Sequence, residues 1–231
     1  MYRISVTTLE KFRRYMQEAS PYDTEESLLD NIKGLFTGND KTRFGSAYHK
    51  LIEGEFKIAN KGLLVDADNY QFHFSADAAR PGLQFKKNHP LMIHEIPLRK
   101  IYQSNFFPIQ LSSKVDGVEG VEIWDHKCKF RSPDWREYMD SIQWKFYLDI
   151  LDLKVFYYNI FEVIGFDQLP AYQPYQIVNV IIHHEPLLCE RYQGMEEDLQ
   201  YWLNSFLEYI HQKNLLQFLK PAILQEDALN F

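Results

Sequence analysis

The chain has 231 residues, a formal charge of −7, 45% hydrophobic and 16% aromatic residues, enough for one globular domain over residues 1–231 whose core needs no covalent staples. Its two cysteines, Cys128 and Cys189, lie far apart and outside any CxxC pair, which argues against a disulfide framework, a zinc knuckle or an iron–sulfur cluster. No apolar leader opens the sequence and no run of 18 apolar residues occurs in it, so a cytoplasmic protein without membrane contact is expected.

Between Arg80 and Lys145 the charge balance reverses, with eleven Lys or Arg against eight Asp or Glu. Residues 4–18, ISVTTLEKFRRYMQE, form a helix capped by Ser5, Thr7 or Thr8, with Leu9, Phe12 and Met16 on one face. TEESLLDNIKGLF is a second short helix, and TGND is its exit turn. In FGSAYHKLIEGEFKI (44–58), Gly45, His49 and Glu53 are four apart and share a helix face, where the small residue lets another backbone approach. His49 could reach a metal ion from there, although a single helical histidine is more commonly a surface or hydrogen-bonded group. Glu53 reads as a solvent-facing or supporting group.

Residues 62–90 read as loop-rich with room for short helices; the Lys86-Lys87 pair suits phosphate contact or solubility. LMIHEIPLRKIY (91–102) alternates as a strand and carries Glu95, whose register is open and which is a further candidate for the site face.

The centre of the chain is a hairpin. KVDGV and VEIWDHK meet at Glu119-Gly120, so that Val118 faces Val121, Asp116 faces Ile123, and Asp125 and Lys127 follow at period two. Asp116, Asp125 and Lys127 then share one surface, with diagonal neighbours roughly 7–8 Å apart at the backbone. Two carboxylates can close such a gap around a divalent cation.

Next, a helix starts at Ser132-Pro133-Asp134 with Met139, Ile142, Phe146 and Ile150 as its apolar stripe; Gln143 and Tyr147 lie beside it. Taken singly, these two read as a solvated and a core residue. Residues 154–166 and 175–184 are β-rich. His183-His184-Glu185 has the composition of a metal cluster, but neighbours on a strand point to opposite faces, which favours a structural role. Residues 196–219 form an amphipathic helix buried through Leu199, Trp202, Leu203, Phe206 and Ile210, and 220–231 form a loose tail.

In order, GSAYH (45–49), VDG (115–117), DHK (125–127) and QWKFY (143–147) follow the pattern GxxxH, D, (D/E)xK and QxxxY. This resembles the RecB-like, phage-type exonuclease branch of the PD-(D/E)XK nuclease superfamily, and ISVTTLEKFRR is similar to that branch's first-helix signature. The resemblance runs from Ile4 to Tyr147. It implies an α/β fold with a restriction-endonuclease-like core, a central mixed β-sheet flanked by helices. It further implies that Asp116 and Asp125 bind Mg²⁺ or Mn²⁺ with His49 and the backbone carbonyl of His126. Lys127 would be the catalytic lysine, while Gln143 and Tyr147 would hold the DNA strand. Asp125 stands where Glu is commoner, and the four-Cys cluster of some members is missing.

Such a site suits phosphodiester hydrolysis, since hard cations held by carboxylates activate water and bind phosphate oxygens. An imidazole ligand favours Mn²⁺, and desolvation of Lys127 would ease loss of its proton. The expected function is a metal-dependent DNA exonuclease that processes ends in recombination or repair, with DNA and recombination proteins as partners. A homo-oligomer is compatible with it. The alternative is a non-cleaving DNA-binding or assembly module on a nuclease fold, against which the intact His49, Asp116, Asp125 and Lys127 weigh. Structural ion pairing alone is a third reading, and buried charge at this density is a poor source of stability.

Overall fold

The computed structural model describes residues 1–35 and 37–223. A short strand, β1 (Tyr2–Ser5), runs directly into α1 (Val6–Met16), where the Ser5 hydroxyl accepts the Thr8 N–H at 3.0 Å. The second helix, α2 (Glu25–Lys33), is capped by Thr24 and ends on left-handed Gly34. Asn39 and Thr42 form a capping box at the start of α3 (Asp40–Glu53).

Residues 57–88 are more regular than the sequence suggests. They form β2 (Lys57–Ala59), β3 (Gly62–Ala67), β4 (Tyr70–Ser75) and the thirteen-residue α4 (Ala76–Asn88). The β3–β4 turn places Asp68 and Asn69 at φ 51° and 66°, left-handed values that Asp and Asn tolerate. This polar pair therefore closes a tight hairpin where a longer loop was expected. Pro81 lies inside α4, a longer helix than the short ones the sequence suggests here.

Two long strands follow, β5 (Ile93–Tyr102) and β6 (Ile109–Glu119), and then β7 (Glu122–Lys129). The helix expected over 132–150 is two helices, α5 (Trp135–Met139) and α6 (Gln143–Leu151). The chain turns at Asp140 and Ser141, and Met139 is left exposed. Strand β8 (Val155–Val163), the short β9 (Tyr175–Ile177), β10 (Ile181–His183) and β11 (Leu187–Glu190), helix α7 (Met195–Gln212) and β12 (Lys220–Pro221) complete the order. The start of the expected tail is anchored. Lys220 and Pro221 pair with β1, and Ile223 exchanges two hydrogen bonds with the Gln110 side chain at 2.9 and 3.0 Å. Residues 224–231 lie outside the described residues.

Eight strands form one mixed sheet: β10, β8, β7, β6, β1 and β12 pair in succession, with β11 also on β8 and β5 also on β6. One face is covered by α1, α2, α6 and α7 through Leu9, Phe12, Leu28, Phe146, Leu203 and Phe206. The other is covered by α3, α4 and a four-stranded sheet, β2-β3-β4-β9, through Phe44, Tyr48, Phe72, Phe74 and Phe85. The fold is thus α/β with a central mixed sheet flanked by helices. No helix among the described residues is long and apolar enough to cross a membrane.

Candidate active site

The site lies where β6 changes partners. β5 pairs with one edge of β6 from Ile109 to Val118. The other edge is shared: β1 takes Ile109 to Ser112, and β7 takes Gly117 to Glu119. Ser113 to Asp116 lie in the gap between these two ladders.

The β6–β7 hairpin turns at Gly120-Val121, with Gly120 at φ +61°, so Val118 pairs with Ile123 and Gly117 with Trp124. The expected turn at Glu119-Gly120 is therefore displaced and the register shifted by two residues. A shift of two keeps each β7 side chain on its face. It also brings Asp125, instead of Ile123, level with Asp116. At this point β7 leaves β6 and continues along β8, Asp125 beside Tyr158 and Lys127 beside Ile160. Alternation in β6 breaks here too, because Val115 and Val118 pack into the same core although they are three apart.

Asp116 fills the gap with its side chain. One carboxylate oxygen accepts the His126 backbone N–H at 2.7 Å, and the other lies 3.5 Å from His49 Nδ1. The N–H and C=O of a strand residue lie on the same edge, so the His126 carbonyl belongs to the edge that Asp116 approaches. Burial disfavours a charged Asp116, but His49 and Lys127 outweigh it and hold the carboxyl well below the usual carboxylate range. For Asp125, 3% exposed, burial wins. With the Asp116 charge nearby, and against the pull of Lys127, its pKa is pushed up to about 6.

Lys127 Nζ lies 2.5 Å from Asp125 Oδ2. Burial would ease loss of its proton, as the sequence suggests, but Asp125 and Asp116 reverse that and hold the amine above the ordinary lysine range. Lys127 is therefore an ammonium in this conformation. The His49 pKa is raised because Asp116 outweighs burial, whereas burial pushes the His126 ring down to about 3. His126 points its ring away from Asp125, toward Phe85, and Asn159 Nδ2 lies 3.0 Å from its Nδ1.

Gln143 and Tyr147 come to the same place but lie inside it, 8% and 1% exposed. The Tyr147 hydroxyl oxygen accepts from Gln143 Nε2 at 2.7 Å and from Ser113 Oγ at 2.8 Å. They tie α6 to the open stretch of β6, in contrast to the surface contact with a strand that the motif suggests. Tyr147→Phe leaves the buried Gln143 amide and the half-buried Ser113 hydroxyl without their acceptor, so a loss of about 1–3 kcal/mol is expected in urea unfolding.

Glu95 lies between the paired residues His94 and Ile96, level with Asp116, with a left-handed φ of 59°. Its carboxylate pairs with Lys114. Glu53, one turn after His49, has a pKa raised by burial against the pull of the His49 charge. Gly45 has open space around it, with nothing within 4 Å of where a Cβ would sit. His183 and His184 go to different partners, Asn159 at 2.5 Å and Glu162 at 2.8 Å, as strand geometry requires. Lys86 donates to the Glu53 carbonyl at 2.7 Å. Ser113 and Asn159 were not apparent from sequence because neither belongs to a motif.

Among the described residues, no three His, Cys, Asp or Glu side chains are already gathered as a metal cage. The donor set nonetheless fits a hard divalent ion: two carboxylates level with each other, an imidazole touching one of them, and a backbone carbonyl on the same edge. Asp125 Oδ2 is buried without a well-aligned hydrogen bond, its charge met chiefly by the Lys127 ammonium.

No family model matches the chain, and no curated protein is found to be similar to it. Among solved structures, one described as the crystal structure of SSO0001 is similar over 93% of this chain and 78% of its own, at 10% identity and a TM-score of 0.47.

Proposed function

We propose that the protein is a metal-dependent DNA nuclease, an exonuclease acting on DNA ends. The observation that carries this reading is the convergence of Asp116, Asp125 and Lys127 at the open edge of β6. Two buried carboxylates repel one another and stabilise the fold poorly, whereas their placement suits a cation that binds phosphate. Mg²⁺ or Mn²⁺, held by Asp116, Asp125, His49 and the His126 carbonyl, would supply charge to the phosphate and acidify its bound water.

The chain's own residues supply the rest. Lys127, fixed on the rigid strand and charged, donates to a phosphate oxygen and offsets the negative charge that builds up during hydrolysis. His49 and the His126 N–H hold Asp116 in one rotamer, so little reorganisation is needed when substrate arrives. The buried Gln143 and Tyr147, with Ser113 of β6, lock α6 against this edge.

The test is a time course on end-labelled linear DNA and closed circular DNA, with Mg²⁺, with Mn²⁺ and with EDTA. Linear DNA is expected to be degraded with either metal, with circles spared and EDTA abolishing turnover. Intact linear and single-stranded DNA under every metal condition would overturn the reading.

A further inference from the structure

Beside Lys127, on the α1 side of the sheet, a cavity of about 230 Å³ holds Lys129, Arg14, Glu137 and Gln143. A neighbouring cavity of about 270 Å³ shares Arg14 and Glu137 and adds Arg131 and Arg136 along with the carboxylates Asp134 and Asp140. One carboxylate sits where the two meet. Glu137 accepts from Arg14 Nη1 at 2.7 Å and from Lys129 Nζ at 3.2 Å, and Arg131 Nη2 lies 3.9 Å away. The remaining Arg14 donors go to Asp23 at 2.9 and 3.2 Å.

Two features make this more than a surface ion cluster. Lys127 and Lys129 are two apart on β7 and project from one face, which sets them roughly 7 Å apart along the strand. That is close to the spacing of successive phosphates in an extended nucleic-acid strand. Glu137 itself rides on α5, a five-residue helix set off from α6 by the Asp140–Ile142 turn.

We infer that Arg14, Lys129 and Arg131 form a subsite for a backbone phosphodiester next to the one at Lys127, and that Glu137 fills it in the free protein. This deepens the nuclease reading and rests on it. A bound strand replaces the Glu137 carboxylate with a phosphate, which accepts the same donors, and α5 is the element that yields. The carboxylate acts as a competitor that supplies a counter-charge to the part-buried Lys129 and, with Asp23, to Arg14.

The test is oligonucleotide binding by fluorescence anisotropy in EDTA, where no turnover occurs, using a short single strand with either a 5′-hydroxyl or a 5′-phosphate. Glu137→Gln is expected to bind both about five-fold tighter, the scale of one ion pair near the surface. Arg131→Met, at an exposed position, is expected to bind both more weakly and to lower the log–log salt slope by about 0.7. Unchanged affinity in Glu137→Gln and Arg131→Met would overturn the subsite. An effect confined to the 5′-phosphate strand, or complete competition by equimolar inorganic phosphate, would overturn the diester assignment. Because binding is read without metal, a failed subsite leaves the cleavage assay intact, and failed cleavage leaves the binding result standing.

Discussion

Replacing Asp125 by asparagine is expected to lower DNA cleavage by about 10³-fold or more while leaving the metal-free protein at least as stable as the parent. The two effects have one cause. Asp125 is buried beside Asp116, and its charge is balanced chiefly by Lys127. Asparagine keeps the shape and removes the charge that would hold the cation. Its pKa, pushed up to about 6 in the fold, lies above the value of about 3.9 for an unfolded chain. A raised pKa adds stability that is fully present below the unfolded value and lost as pH rises through the folded one. Asp125 should therefore contribute a gain in thermal stability to the metal-free protein as pH falls from 7 toward 4, opposed by the buried His126, whose ring is pushed down to about 3 and resists protonation. The gain should be smaller in Asp125→Asn. His49, whose pKa is also raised, adds a gain of the same sign at the upper end of that range, which the variant retains. A melting series across this range in EDTA checks it; equal pH slopes for parent and variant would remove Asp125 as the origin.

The α/β class and most long elements were legible because they rest on local signals. The alternation of β5 and the capped period of α1 are visible in any window of a dozen residues. That Asp125 and Lys127 share a face of β7 was legible for a more particular reason. The misplaced turn shifted the register by two, and a shift of two does not change which side of β7 a residue faces. A turn of three residues in place of two would have shifted the register by one and turned Asp125 and Lys127 to the opposite face relative to β6.

What stayed hidden depends on partners distant in sequence. The gap in β6 exists because β1 and β7 each cover only part of one edge, and a four-residue strand at the N-terminus gives no sign of that. The protonation of Lys127 follows from two carboxylates placed by the fold, while the lysine's own surroundings suggest the opposite. The tie of the buried Tyr147 to β6 runs through Ser113, which carries no motif and reaches it across 34 residues. The β3–β4 hairpin was obscured by Asp68 and Asn69, whose tolerance of left-handed backbone makes them equally at home in long loops and tight turns.

Glu10→Ala is expected to cost about 3–5 kcal/mol in urea unfolding, the scale for stripping one partner from a buried ion pair. Glu10 accepts from Arg13 Nη2 at 2.6 Å and Nε at 3.1 Å, and the Arg13 and Glu10 side chains are only 3% and 14% exposed. The same carboxylate accepts the Ile142 N–H at 2.9 Å. That second bond matters because α6 has no side-chain cap of its own, so Glu10 from α1 serves as one. Alanine leaves the Arg13 guanidinium buried with Gln17 as its remaining side-chain acceptor, and it frees the start of the helix that carries Gln143 and Tyr147. The double variant Glu10→Ala/Arg13→Met separates the two roles. Removing the stranded charge should recover most of the stability, whereas the uncapped α6 should remain loosened and cleavage should stay below that of the parent. If the double variant regained full cleavage, the Ile142 bond would have no part in placing α6. If it were no more stable than Glu10→Ala, the buried Arg13 charge would not be the source of the loss.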